Sequence, residues 1–215
     1  MPEARLQAYT TVQSASEIEN VEKRSRFIGR CWHVSDESEA LAILDRVRKD
    51  CWDATHNCYA YVLRSGAARY SDDGEPGGTA GMPMMEALTR IGVTDTLVIV
   101  TRYFGGILLG AGGLVRAYSK AACDAIRAAQ LVRMLPCTAF SVTCAYPYWN
   151  TVSKLCEHHG RVEDVQFTDQ VSCTVWVEQT KGDAFATALT ERTEGRVTAT
   201  PVLEDCFPFP MEEPA

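Results

Sequence analysis

Asp72, Asp73 and Glu75 stand within a run, Ser71-Asp72-Asp73-Gly74-Glu75-Pro76-Gly77-Gly78-Thr79-Ala80-Gly81, too rich in turn formers to be helix or strand. Three carboxylates so close together could hold Mg²⁺, which takes oxygen ligands supplemented by water or phosphate. They suit a solvated turn better, because the loop offers no complete ligand set and its donor spacing is not that of a calcium hand. Thirty residues on, Gly110, Gly112 and Gly113 open a long helix, where backbone N–H groups and the helix dipole favour an anion. Arg102, at the end of the apolar stretch Leu97-Val98-Ile99-Val100, and Arg116, one turn inside the helix, could clamp that anion. The spacing is neither a Walker A loop nor a dinucleotide fingerprint, and glycines here would also permit tight strand–helix packing. His56, beside Asn57, could act as a base or donor, or be structural; no nucleophile–base order accompanies it. Tyr103 and Phe104 offer rings that could stack on a base or cap the core.

These groups need elements to position them. Alternating patterns over residues 9–13 and 26–34 predict an opening antiparallel pair, with 17–23 as its polar connection. Ser35 is the expected N-cap of a helix carrying Ala40, Leu41, Leu44 and Val47. Strands are expected over 57–63 and 69–71, and a helix from Pro83 with Met84, Met85 and Leu88 inward. The helix after the glycine loop places Leu114, Val115, Tyr118, Ala121, Ala122, Ala125, Ile126 and Ala129 on one face. Arg116, Lys120, Cys123 and Arg127 line the other as an exposed basic stripe. Residues 131–136 read as a linker with a proline where the pattern changes. Beyond it, a strand over 138–145, a helical face from Tyr148 to His159, a hairpin around Asp169-Gln170, a helix over 181–192 and a strand over 196–203 give a βαββαβ order.

The expected organisation is therefore α+β in two domains: residues 1–130, a linker at 131–136, a ferredoxin-like domain at 137–204 and a flexible tail at 205–215. Charge divides along the same line. Residues 1–130 hold 15 Lys and Arg against 16 Asp and Glu, whereas 131–215 hold 6 against 12. A chain at net −7 is not a generic polyanion binder, although a local basic stripe still allows one. Nine cysteines with no CxxC pair and no zinc-finger spacing predict reduced thiols used as small hydrophobes. No apolar run approaches a bilayer span and no signal-like start is present, so the expectation is a cytoplasmic protein without membrane contact.

The strings SDDGEPGGTAG, VTRYFGG and LGAGGLVRAYSKAA, with KRSRF at Lys23–Phe27 and HNCYAY at His56–Tyr61, resemble the bacterial YigZ and eukaryotic IMPACT family over most of residues 20–128. The resemblance implies a ribosomal-protein-like α/β sandwich of the S-five second-domain type, a superfold that also hosts small-molecule kinases. It implies a second domain similar in shape to a C-terminal domain of elongation factor G. Carried over by motif, the cleft would comprise His56, Asn57, Asp72, Asp73, Glu75, Thr79, Arg102, Tyr103, Gly105, Gly106 and Arg116. Eukaryotic relatives regulate the kinase that controls translation initiation and carry an extra N-terminal partner-binding domain. The segment ahead of Lys23 is too short for it, so that role is not expected to transfer.

Three functions follow as expectations. The first is a non-enzymatic binding or regulatory protein beside the translation machinery, contacting RNA, the ribosome or a phosphate-bearing ligand through Arg102, Arg116, Lys120 and Arg127. The alternative is a Mg²⁺-dependent enzyme of a phosphorylated small molecule or nucleotide, with the acidic turn and glycine loop in one cleft. The third is an adaptor whose acidic second half seeks a basic partner.

Overall fold

The computed structural model describes residues 6–211, and they divide into two compact units, one built on Tyr9–Arg133 and the other on Met134–Phe209. Both are mixed α and β, with five α-helices between them among the described residues.

In the first unit, strands β1 (Tyr9–Val12), β2 (Ser16–Glu22) and β3 (Ser25–His33) precede helix α1 (Glu37–Asp50). Strands β4 (His56–Val62) and β5 (Ala68–Ser71), helix α2 (Gly81–Ile91), strand β6 (Thr96–Tyr103) and helix α3 (Ala111–Ala128) follow. Five strands form an antiparallel sheet in the order β2-β3-β6-β4-β5. Side chains alternate between its faces. Phe27, Cys31, Cys58, Ala60, Val98 and Val100 pack with α2 and α3, whereas Tyr59, Tyr61, Leu97 and Ile99 pack with Leu44 and Val47 of α1. Asp36, not Ser35, caps α1: its carboxylate accepts from the Glu39 N–H, and Glu39 reaches back to the Ser35 N–H.

The segment expected to be a polar connection is β2 itself. It is an edge strand, so its polar residues have work on both sides. Ser16 and Asn20 bond to α3, at the Ala125 carbonyl and the Asp124 carboxylate, while Glu17 and Glu19 pair with Arg30 and Arg26 of β3. Its hairpin closes through Lys23 and Arg24, both in the left-handed region, at φ 46° and 66°. Gly105 rests directly on this turn. A Cβ there would lie 2.1 Å from the Arg24 carbonyl carbon and 2.4 Å from the Ser25 nitrogen.

The second unit runs β7 (Leu131–Cys144), α4 (Tyr146–His159), β8 (Arg161–Phe167), β9 (Val171–Glu178), α5 (Gly182–Arg192) and β10 (Ala199–Pro210). The βαββαβ order is that read from the sequence. Strand β9 lies between β7 and β8, and β10 pairs with the far side of β7. Phe140, Val142, Val152, Cys156, Val175, Phe185 and Leu189 form its core.

Two boundaries differ from expectation. Residues 131–136 are not a loop linker: β7 runs straight through them, because Val132 is buried and the backbone stays extended across Pro136. The described part of the supposed tail belongs to β10, where Phe207 stacks on Trp176. Its prolines are tolerable because they sit on an edge strand. The remainder of the tail, 212–215, lies outside the described residues. All nine cysteines are free and eight are buried, and burial pushes the Cys31 and Cys58 thiols up to about 12. Among the described residues no helix is long and apolar enough to cross a membrane.

Candidate anion-binding groove

The expected site residues separate into a buried network and an open groove. Sheet register sets the first. Phe27 of β3, Arg102 of β6 and His56 of β4 are direct neighbours in one row on the α2/α3 face. Arg102 is only 6% exposed, and its guanidinium lies 5.5 Å from the ring centres of both Phe27 and Phe104. Its Nη1 donates to Glu75 Oε1 at 2.6 Å, and the Tyr118 hydroxyl donates to the same oxygen at 2.7 Å. His56 bonds through Nδ1 to the Asp73 carbonyl at 2.7 Å, and its Nε2 lies 3.8 Å from Glu75 Oε2. Burial, with Cys58 and Glu75 adding to it, pushes the Tyr118 hydroxyl far above its usual range, so it stays a donor. Arg102 is therefore paired inside the protein rather than open to the groove, with its Nε buried and without a hydrogen-bond partner among the described residues.

The acidic turn is equally committed. Asp72 accepts from the backbone N–H groups of Gly78, Ala80 and Gly81 at 2.8–3.0 Å. Burial alone would raise its pKa, but those three donors outweigh it and hold the carboxyl below the usual range. Asp73 accepts from the Asn57 N–H at 2.7 Å and pairs with Arg48 at 3.0 Å. The Thr79 hydroxyl donates to the Pro76 carbonyl at 2.6 Å. Each carboxylate thus has internal partners, and among the described residues no three His, Cys, Asp or Glu side chains could together hold a metal ion. Of the two readings the turn allowed, this bonding suits the structural one: the oxygens close the loop over β4 and start α2.

Asn57 and Tyr103 fall on the opposite sheet face, by the two-residue alternation of β4 and β6. Asn57 accepts from the Thr101 hydroxyl at 2.8 Å, and the Tyr103 hydroxyl bonds to Asp53 at 3.2 Å, beneath the Arg26 guanidinium. Gly105 and Gly106 form the close loop over the hairpin turn, Gly106 at φ 81°.

The groove lies where that turn meets the start of α3. Lys23, Arg116 and Lys120 line it with Asn20, Val21, Glu22, Phe27, Leu109, Gly113 and Ala117, enclosing about 280 Å³. Gly110, at φ 74°, begins α3 with no side-chain cap, so no side chain meets the first N–H groups of the helix, although that of Gly113 bonds to the Gly110 carbonyl at 3.1 Å. Arg116 folds toward them, its Nη1 3.6 Å from where a Gly112 Cβ would be. Lys120 bonds to Asn20 at 2.7 Å and Asp124 at 2.5 Å. No hydrogen bond or ion pair engages Lys23 or Arg116 among the described residues. Arg127 is exposed farther along the same helix, but Cys123 is buried and accepts from Arg90 at 3.1 Å, so the stripe is interrupted there. Lys23 is the groove residue that spacing did not single out. Its signal was the KRSRF string, and only the hairpin brings it within reach of a helix over ninety residues away.

The Impact N-terminal domain family matches residues 23–126, and a domain of unknown function, DUF1949, matches 142–196. The chain is 38% identical over 194 residues to IMPACT family member YvyE of Bacillus subtilis, spanning 89% of each protein. The chain belongs to the IMPACT family. It is also 42% identical over 128 residues to IMPACT family member YigZ of Escherichia coli, covering 58% of this chain and 63% of that one. A solved structure described as a hypothetical protein matches with 30% identity and a TM-score of 0.59, over 93% of this chain and all of the other. The IMPACT match begins at the hairpin turn and ends near the close of α3, so it contains every residue of the groove except Asn20, Val21 and Glu22.

Proposed function

We propose that this IMPACT-family chain is a binding protein that engages the phosphates of RNA at the Lys23/Arg116/Lys120 groove, in a regulatory role beside the translation machinery. One observation carries the reading: Lys23 and Arg116 remain unpaired beside the uncapped start of α3, while Arg102 and the acidic carboxylates are consumed internally. The family resemblance supplies the translational setting, and the groove supplies a physical means of contact. Phosphate neutralisation by a few cations gives modest, salt-sensitive affinity. A Mg²⁺-dependent phosphotransfer enzyme would need its metal-holding carboxylates and its phosphate loop free in one cleft, and the bonding of Asp72 and Glu75 disfavours it.

The test is fluorescence polarisation of a short single-stranded RNA against the full chain over a salt series. Three phosphate contacts on a single strand predict a log–log salt slope of about −2. Arg116→Glu/Lys120→Glu should weaken binding more than tenfold and flatten the slope. Binding that survives this double substitution undiminished would exclude the groove.

A further inference from the structure

The C-terminal sheet has a second face with a different chemistry. Alternation in β9 turns Val171, Cys173, Val175 and Val177 toward α4 and α5, leaving Ser172, Thr174, Trp176 and Glu178 on the outer side. Trp176 stands opposite Ala139 of β7 and Arg161 of β8. Ala139 is buried, and Phe207 stacks on the indole, with ring centres 4.9 Å apart and planes 22° from parallel. Phe209 adds an edge contact at 5.9 Å. All three rings remain partly exposed. The indole N–H donates to the exposed Glu163 carboxylate at 3.2 Å, and exposed Asp205, two residues before Phe207, shares its side of β10.

Aromatics on the open face of a sheet can stack nucleobases. Charge argues against that here: residues 134–209 hold five Lys and Arg against ten Asp and Glu, which repels phosphate. The same charge attracts a cation, and a guanidinium stacks well on indole and phenyl rings while bonding to carboxylates. The edge of β10 is a poor place for strand addition because Pro201, Pro208 and Pro210 interrupt its donors. The face, rather than the edge, is the binding feature.

We infer that the outer face of the C-terminal sheet, centred on Trp176 and Phe207, docks an arginine-rich peptide segment of a partner protein. Guanidinium groups stack on the aromatic pair and bond to Glu163 and Asp205. The surface is independent of the groove, and its partner is cationic where that of the groove is anionic.

The experiment is polarisation of a labelled nine-residue peptide of alternating Gly and Arg with the full chain, followed by circular dichroism of each variant. Saturable binding should weaken at least tenfold in Trp176→Ala and at least threefold in Glu163→Gln/Asp205→Asn, be retained in Trp176→Phe, and ignore Arg116→Glu/Lys120→Glu. The carboxylate variant alters only exposed side chains, so it decides the matter even if Trp176→Ala does not fold. Peptide binding absent from the wild type, or unchanged in the carboxylate variant, overturns the inference. Loss of RNA binding in Trp176→Phe/Phe207→Leu, with the peptide unaffected, overturns it in favour of base stacking.

Discussion

Glu75 joins two buried side chains, because one of its oxygens receives both the Arg102 guanidinium and the Tyr118 hydroxyl away from water. Removing one partner of a buried pair leaves an uncompensated charge, which costs about 3–5 kcal/mol. Glu75→Ala should lower the urea unfolding free energy by that amount, and Glu75→Gln by less, since it keeps an acceptor. Asp72 makes a different prediction, in pH. Its folded pKa lies below that of the unfolded chain, about 3.9. The stability it contributes is therefore full above that value and is lost as pH falls through the lower, folded one. Thermal melts from pH 5 to pH 2 should show a steeper acid loss for the wild type than for Asp72→Asn, which has no carboxylate to titrate.

At the scale of elements, the hairpin between β2 and β3 is held in an unfavourable shape. Left-handed backbone costs a side-chain-bearing residue about 1–2 kcal/mol, and two consecutive residues adopt it without glycine or asparagine. Strain of this kind gathers at functional turns. Lys23→Asn/Arg24→Gly, which suits the turn, should raise stability by about 1 kcal/mol in urea while weakening RNA binding, a separation that ordinary damage would not produce. Gly105→Ala should act oppositely. Its Cβ has nowhere to go against the Arg24 backbone, so the turn must move, at about 1–3 kcal/mol. Faster amide exchange at Ser25 and Phe27 would report the displacement.

The whole molecule keeps its cores and its charges apart. The cores of the two units share no residue, and the net negative charge lies almost wholly after residue 130. Phe185→Ala opens a cavity in the second core alone and should cost that unit about 3–5 kcal/mol. Hydrogen exchange should then accelerate within 134–209, with RNA affinity at the groove retained. The division of charge is compatible with the proposed anion site in a chain at net −7, since the groove belongs to the nearly neutral unit.

Local pattern was enough for several of these features. The amphipathic face of α3, the βαββαβ order and the glycine entrance to α3 are set by residues within a few positions of one another, and helical or strand periodicity reports them directly. The strings that mark the IMPACT family are local as well. Which charges are free is a different kind of property. Arg102 and Arg116 look alike in sequence, but β6 carries the first into the core, against a carboxylate 27 positions earlier, while α3 leaves the second in solvent. The sorting of His56 from Asn57, and the meeting of Lys23 with α3, likewise depend on strand register and on a two-residue turn. Residues 131–136 and 205–210 looked like linker and tail because proline argues against strands locally, yet the first are the opening of β7 and the second belong to β10, which pairs with β7 and stacks Phe207 on Trp176. Periodicity and motif are written along the chain, whereas the pairing of buried charges and the placing of edge strands arise only when distant segments share one sheet.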